Sequence, residues 1–127
     1  MPTFVETMGT VDDVLAVASV ATRPLLSAAH ARLLEIHPDA VVVPRRGERS
    51  IAYGIGPRKM VDAYAYLIPF SSHVNLGFFH GTSLGESERL EGSGKAMRHL
   101  KLRSVEDLLA EGTTRLVRAA IAERRGA

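Results

Sequence analysis

The middle of the chain consists of short segments rich in β-forming residues, separated by brief polar, glycine or proline breaks. Valine, isoleucine, tyrosine and phenylalanine dominate these segments, and this composition favours strands. Connections this short join strands that run antiparallel, because a parallel pair needs a much longer crossover. We therefore predict an antiparallel meander with strands at residues 41–43, 51–55, 61–70 and 73–80, followed by a final strand at 98–103.

Alternation within the last two predicted strands assigns their side chains to faces of the sheet. Successive side chains of a strand point to opposite faces, so every second residue lies on the same side. In each of these two strands the apolar side chains share one face and the polar or basic ones share the other. The residues predicted on the polar faces are His73, Asn75, Gly77, His99, Lys101 and Arg103.

Helical periodicity precedes the strands. Residues 10–13 have the form of a capping box, with Thr10 as N-cap, and predict a first helix that ends near Ala21. Thr22 and the following proline predict the start of a second helix, which Pro38 ends. That helix carries His30 and His37, which we interpret as packing or surface residues.

Helices also follow the strands. Residues 104–107 form a second predicted capping box, which opens a helical segment at residues 105–110. Gly112 is predicted to interrupt it, and Thr113 or Thr114 to cap a last helix. With helices at both ends of one antiparallel sheet, the fold class is α+β. We expect a two-layer sandwich, with the N- and C-terminal helices on one face and the other face partly open.

Length and composition restrict the function classes. At 127 residues we expect one domain spanning residues 1–127. The absence of cysteine excludes disulfides and thiolate chemistry, and it fits a cytoplasmic location. No apolar run approaches the roughly 20 residues of a membrane span, so we expect no membrane partner. A net charge of +2 makes nucleic acid an unlikely partner.

The Gly-rich segment at residues 92–99 is the strongest candidate for a binding site. Gly92, Gly94 and Lys95 resemble a loop in which backbone N–H groups and a lysine hold an anion. It is not a Walker A loop, because Arg89 and Ala96 occupy positions that the motif reserves for glycine and for serine or threonine. Two interpretations stay open here: an anion-binding nest, or a flexible turn that leads into the last strand.

A histidine metal site is a second candidate. His73 and His99 lie on different predicted strands, which could bring them to one ion together with Asp62 or Glu91. The chain contains no HExxH-like pattern, and we identify no base and orienting acid that would activate a serine nucleophile. We therefore predict no catalytic residues.

A set of residues between positions 53 and 107 carries a resemblance to a known family. These residues are Tyr53, Gly54, His73, Val74, Leu76, Gly77, Phe78, Phe79, Gly81, Leu84, Leu90, Glu91, Gly92, Gly94, Lys95, Met97, Arg98, His99, Lys101, Leu102, Arg103, Ser104, Glu106 and Asp107. Through them the chain resembles the YdhG-like family, a family of small bacterial domains of unknown function that includes frataxin-like iron chaperones. The resemblance spans roughly residues 25–125 and is most specific over residues 73–107. It implies a frataxin-like α/β sandwich and, as a cofactor or cargo, iron.

The charges of this chain favour an anion over iron. Frataxin-like iron handling uses a dense acidic surface on an early helix, whereas the first two predicted helices offer only Asp12, Asp13 and Glu35. The matched motif is instead basic and suits an anionic ligand or an acidic partner. A structural alternative is that its glycines serve turn geometry and that Arg98 and Lys101 tie the strand to the start of the next helix.

The prediction is therefore a non-enzymatic binding domain for a small anion or an acidic protein partner. Its alternative is a frataxin-like iron-binding chaperone, with His73 and His99 as metal ligands. An exposed sheet face carrying tyrosine and phenylalanine would also allow a homodimer. The predicted ligand-binding residues are Tyr53, Gly92, Gly94, Lys95, Arg98 and Lys101.

Overall fold

A computed structural model of the chain describes residues 1–85 and 89–126. It confirms the predicted fold class: helices pack on one face of a six-stranded, mostly antiparallel sheet. The elements in chain order are β1 (Thr3–Phe4), α1 (Val11–Val17), α2 (Arg23–Ile36), β2 (Val41–Arg45), β3 (Ser50–Gly54), β4 (Ala63–Pro69), β5 (Val74–Phe78), a 3₁₀ helix (Gly81–Leu84), β6 (Arg98–Leu102), α3 (Val105–Leu109) and α4 (Glu111–Arg125). Within these described residues, no helix is both long enough and apolar enough to cross a membrane.

The order of the strands in the sheet is the order of the chain, β1 to β6. All neighbours are antiparallel except β1, which pairs in parallel with β2. The short connections between β2 and β5 produce the predicted meander. The sequence prediction missed β1, which has only two residues and whose Thr3 and Phe4 are both exposed.

The predicted alternation decides which side chains enter the main core. Val74, Leu76 and Phe78 of β5 are buried against the helices, as are Leu100 and Leu102 of β6. Each helix adds an apolar stripe to the same core, which is why the helices lie on one face of the sheet. The helical residues of this core are Val14, Leu25, Leu26, Ala29, Leu33, Leu108, Val117, Ala120 and Ile121.

Helix boundaries follow the capping residues, with corrections to the prediction. Thr10 caps α1 through a complete capping box with Asp13. This helix ends at Val17, not near Ala21, because the backbone of Ala18 is extended and Ser19 begins a turn. The sequence also predicts a short helix around residues 84–90, which falls partly outside the described residues because residues 86–88 are not described. The 3₁₀ helix lies just before it.

The C-terminal helices also differ in detail from the prediction. Ser104 caps α3, but the Asp107 carboxylate accepts a hydrogen bond from the backbone N–H of Arg103 instead of closing the box on Ser104. The helical conformation is interrupted at Ala110, which separates α3 from α4. Gly112 lies inside the first turn of α4 and does not separate the helices. Thr113 does not recap the helix, because its hydroxyl donates to the backbone carbonyl of Asp107, 2.7 Å away.

The face of the sheet opposite the helices is covered at one end and open at the other. A small apolar cluster covers β2 to β5, and within it the rings of Tyr66 and Phe79 lie 4.9 Å apart. The Tyr66 ring lies over Gly77, where any side chain would overlap it. Toward the start of β5 the same face stays partly exposed around Ile68, Phe70 and His73.

Candidate functional site

The open part of the sheet is built from the adjacent strands β5 and β6. Asn75 pairs with Lys101 and Gly77 pairs with His99, so these side chains face away from the helix layer. His73 directly precedes β5, whose first residue pairs with the last residue of β6. Pairing of the two strands therefore gathers the basic residues that alternation placed on each. We call His73, His99, Lys101 and Arg103 the cationic patch.

Electrostatics show that the members of the cationic patch act on one another. Partial burial lowers the pKa of His73, and the positive charges of Lys101, Arg103 and His99 lower it further. A hydrogen bond with Asn75 acts in the opposite direction. All the charged neighbours that shift this pKa are cationic, so the local potential favours an anion.

A carboxylate at the rim only partly offsets this charge. Glu91 forms an ion pair with Lys101, with Nζ and Oε1 3.6 Å apart, and both side chains are partly exposed. Exposed ion pairs of this kind contribute about 0–1 kcal/mol, so an incoming anion can replace Glu91 at little cost. The backbone of Glu91 is held more firmly, by two hydrogen bonds to His99 of 2.8 and 2.9 Å.

Aromatic and apolar surface adjoins the cationic patch. The His73 ring stacks on Phe70, with centroids 4.9 Å apart and planes 16° from parallel. Phe70 is 44% exposed and forms, with Ile68, part of the wall of a shallow recess of about 510 Å³. The remaining wall residues are Val17, Ser19, Glu48, Arg49, Pro69 and Ser71.

The Gly-rich loop is organised mainly by its own hydrogen bonds. Arg98 donates from Nη1 to the carbonyl oxygens of Gly94 and Met97, at 2.6 and 2.7 Å, so its guanidinium closes the loop instead of facing a ligand. Gly92 has φ of +123°, a backbone conformation that favours glycine. Gly94 has neither a positive φ nor a close neighbour at its Cβ position, so it has no such requirement.

Lys95 and Lys101 differ in their surroundings. Lys95 is exposed, and its backbone carbonyl accepts a hydrogen bond from the Thr82 hydroxyl at 3.2 Å, which ties the loop to the 3₁₀ helix. Lys101 lies on the cationic patch beside Glu91. The contacts of Arg98 and Lys101 are with the loop and with Glu91, so neither residue ties β6 to the start of α3. There the contact runs from the backbone N–H of Arg103 to the Asp107 carboxylate.

Tyr53 lies away from the other predicted site residues. It is fully buried on the helix-facing side of β3, where its hydroxyl and His30 Nδ1 are hydrogen-bonded at 2.7 Å. Burial raises the pKa of Tyr53 well above its ordinary value. Tyr53 therefore joins the sheet to α2, while the Gly-rich loop leads into β6.

The strand register also keeps His73 and His99 apart. His99 pairs with Gly77, four residues beyond His73, which corresponds to about 13 Å along the strand. Metal ligands must all lie about 2 Å from the ion, so both rings would have to extend along the sheet to share one. Within residues 1–85 and 89–126, no group of three or more histidine, aspartate or glutamate residues could hold a metal ion.

Phe70 and Arg103 belong to this surface but were not among the predicted site residues. Alternation along residues 98–103 already placed Arg103 beside Lys101, and that signal was sufficient to include it. Phe70 has no comparable signal, since its stacking on His73 depends on the turn that joins β4 to β5.

Comparison of the chain with protein-family models, with curated proteins and with solved structures gives no match. The resemblance to the YdhG-like family, and the iron binding that it implies, therefore stay predictions. The candidate site rests on the geometry of the described residues.

Proposed function

We propose that this protein is a non-enzymatic binding domain that uses the cationic patch to bind an acidic segment of a protein partner. The observation that supports it is the convergence of His73, His99, Lys101 and Arg103 on one open sheet face, where their charges lower the pKa of His73. The patch is a shallow surface from which water is not excluded. Such a surface suits recognition better than catalysis, which needs groups fixed in a water-excluded site.

The surroundings of the patch favour a peptide segment over a small anion. Small ligands bind in concave sites that bury most of their surface, whereas this patch is a flat pair of strands. The recess beside it is lined by Phe70 and Ile68 and offers room for an apolar side chain. An acidic segment with an interspersed apolar residue would therefore contact both the charges and the aromatic surface.

A labelled peptide of alternating glutamate and leucine provides a test by fluorescence anisotropy. The double variant Lys101→Gln/Arg103→Gln is expected to weaken binding about three- to thirtyfold, since each lost contact between exposed charges is worth roughly 0.3–1 kcal/mol. Affinity should also fall as salt rises from about 50 to 300 mM, because screening acts on exposed charges.

A matched control is the double variant Arg46→Gln/Arg115→Gln, which removes the same charge from exposed positions outside the patch. It is expected to retain nearly all affinity. Equal weakening in both double variants would show that net charge alone governs binding, and the patch would then not be the site. Displacement of the peptide by millimolar phosphate at constant ionic strength would identify a small anion as the ligand class instead.

A further inference from the structure

A second basic site lies on the other side of the molecule, where α2 and α4 end. A recess of about 210 Å³ opens there between the two helices. Three of its wall residues are apolar and three carry nitrogen donors. The wall residues are Ile36, His37, Arg118, Ile121, Ala122 and Arg125.

Within residues 1–85 and 89–126, the two arginines of this recess have no carboxylate as an ion-pair partner. Arg118 and Arg125 are seven residues apart on α4, so they lie on the same side of the helix about 10 Å apart along its axis. Neither forms an ion pair with any carboxylate among the described residues, whereas Arg115 and Arg124 of the same helix pair with Glu111 and Glu123. Two guanidinium groups therefore reach the recess with their charge uncompensated by an ion pair.

His37 contacts the guanidinium group of Arg125. The His37 side chain is buried, and its Nδ1 lies 2.8 Å from the hydroxyl of Tyr64. Its Nε2 lies 3.5 Å from Nη2 of Arg125. Arginine can only donate, so a contact of this kind makes Nε2 the acceptor and leaves the proton on Nδ1, which donates to Tyr64. The buried Tyr64–His37 pair thus positions Arg125 at the recess.

The negative charge near the recess is smaller than the positive charge. The C-terminal ends of α2 and α4 each carry about half a negative charge, against two full positive charges from Arg118 and Arg125. Asp39 lies close enough to act on His37, but its carboxylate is already paired with the amino terminus of Met1. The balance favours an anion with several acceptor oxygens, because a guanidinium group donates in pairs.

We propose that the recess between α2 and α4 is a binding site for a small, doubly charged oxyanion held between Arg118 and Arg125, with His37 as a positioning residue. The simplest ligands of this chemistry are inorganic sulfate and phosphate. The apolar wall of Ile36, Ile121 and Ala122 leaves room for the organic part of a phosphate ester. This site is independent of the cationic patch, which lies on the opposite face of the sheet.

Sulfate is the better probe, because it keeps two negative charges between pH 5.5 and 7.5. In an NMR titration at constant ionic strength, we expect saturable shifts of the amides around His37 and Arg125. Arg118→Gln and Arg125→Gln should each weaken sulfate binding at least about tenfold. Arg125→Lys, which keeps the charge and loses the paired donors, should fall between wild type and Arg125→Gln.

Two controls separate this site from general electrostatics and from the cationic patch. Arg115→Gln removes a paired arginine from the same helix, and Lys101→Gln/Arg103→Gln removes charge from the patch; both should bind sulfate like the wild type. Equal weakening in Arg115→Gln, or no saturable binding by the wild type, would overturn the proposal. Loss in the patch variant alone would also overturn it and would assign the anion to the patch.

The pH dependence tests the role of His37. The groups that face it are Tyr64 on β4, Arg125 and Arg118 on α4, and Asp39 after α2. Protonation of His37 would turn Nε2 into a donor and end its contact with the Arg125 guanidinium. Sulfate binding by the wild type should therefore weaken toward pH 5.5 and be accompanied by proton release, and this weakening should be lost in His37→Gln. An affinity of the wild type that stays unchanged or increases at pH 5.5 would contradict the positioning role.

Discussion

At Gly77, an aromatic ring packs directly on the backbone of the sheet, on the face opposite the helices. The Tyr66 ring lies over it, and a Cβ at this position would overlap the ring atoms. Replacing Gly77 with alanine must displace the ring of Tyr66, a residue that is only 8% exposed and packs on Phe79. We expect Gly77→Ala to lower the free energy of unfolding by about 1–3 kcal/mol, the usual cost of overpacking. Urea denaturation measures this change.

Gly94→Ala is the matched control for that substitution. Gly94 has no neighbour within 4 Å of its Cβ position and no positive φ. Its replacement should change the free energy of unfolding by less than about 0.5 kcal/mol. If the two alanine variants unfold at the same urea concentration, the close packing of Tyr66 on Gly77 is not an important contribution to stability.

Single residues of the candidate site were predictable where alternation alone decided their position. His99 and Lys101 reached the open face as expected, because Leu100 between them had to enter the core. The function of Arg98 was not predictable, since its hydrogen bonds depend on the backbone path of the loop. Tyr53 was assigned to the site although alternation cannot tell which face of a strand the helices cover.

At the scale of elements, the first helix depends on its capping residue. The Thr10 hydroxyl accepts from the Asp13 N–H at 3.1 Å, and the Asp13 carboxylate accepts from the Thr10 N–H at 2.9 Å. Thr10→Ala removes the first bond and loosens the second. We expect a loss of about 1–2 kcal/mol in the free energy of unfolding, measured by chemical denaturation.

Two serines provide comparisons for the Thr10 cap. Ser104 makes only the forward capping bond, at 3.2 Å, so Ser104→Ala should cost less, about 0.5–1 kcal/mol. Ser93→Ala in the exposed loop should cost close to nothing. A cost for Thr10→Ala no greater than that for Ser93→Ala would be inconsistent with a capping box that stabilises α1.

Helices and strands were predictable when they were long enough to show a recognisable pattern of residues. All five predicted strands were found, three from their content of β-forming residues and two also from alternation, and both long helices were found from their helical spacing. The strand β1 has two residues, too few for any period, and its pairing with β2 spans the whole N-terminal helical region. The start of α4 was misplaced because glycine was taken as a break, whereas the first turn of a helix tolerates it.

At the scale of the whole molecule, three histidines make the fold sensitive to acid. Burial lowers the pKa of His30, burial and Arg125 lower that of His37, and burial with the cationic patch lowers that of His73. Their folded pKa values lie below the ordinary value near 6.5, so the unfolded chain binds more protons. The stability they contribute is present above pH 6.5 and is lost as the pH falls through that value.

Denaturant unfolding at pH 7.5 and 5.5 tests this expectation. The free energy of unfolding should decrease toward pH 5.5, with a slope of at most about 1.4 kcal/mol per pH unit for each proton taken up. The carboxylates with lowered pKa values, Asp39, Asp62 and Glu123, titrate in a lower pH range and do not contribute to this window. A constant or rising stability between pH 7.5 and 5.5 would rule out the predicted linkage.

The two edges of the sheet limit its extension by strands from other molecules. At one edge β1 has only two residues, and at the other the backbone of His99 is already bonded to Glu91. Outward-pointing backbone groups alternate along a strand, so the next such position on β6 is Lys101, whose backbone has no partner at this edge among residues 1–85 and 89–126. Its charge repels an approaching copy. The sheet is therefore protected against strand addition and edge-to-edge aggregation by short length on one side and by an occupied, charged strand on the other.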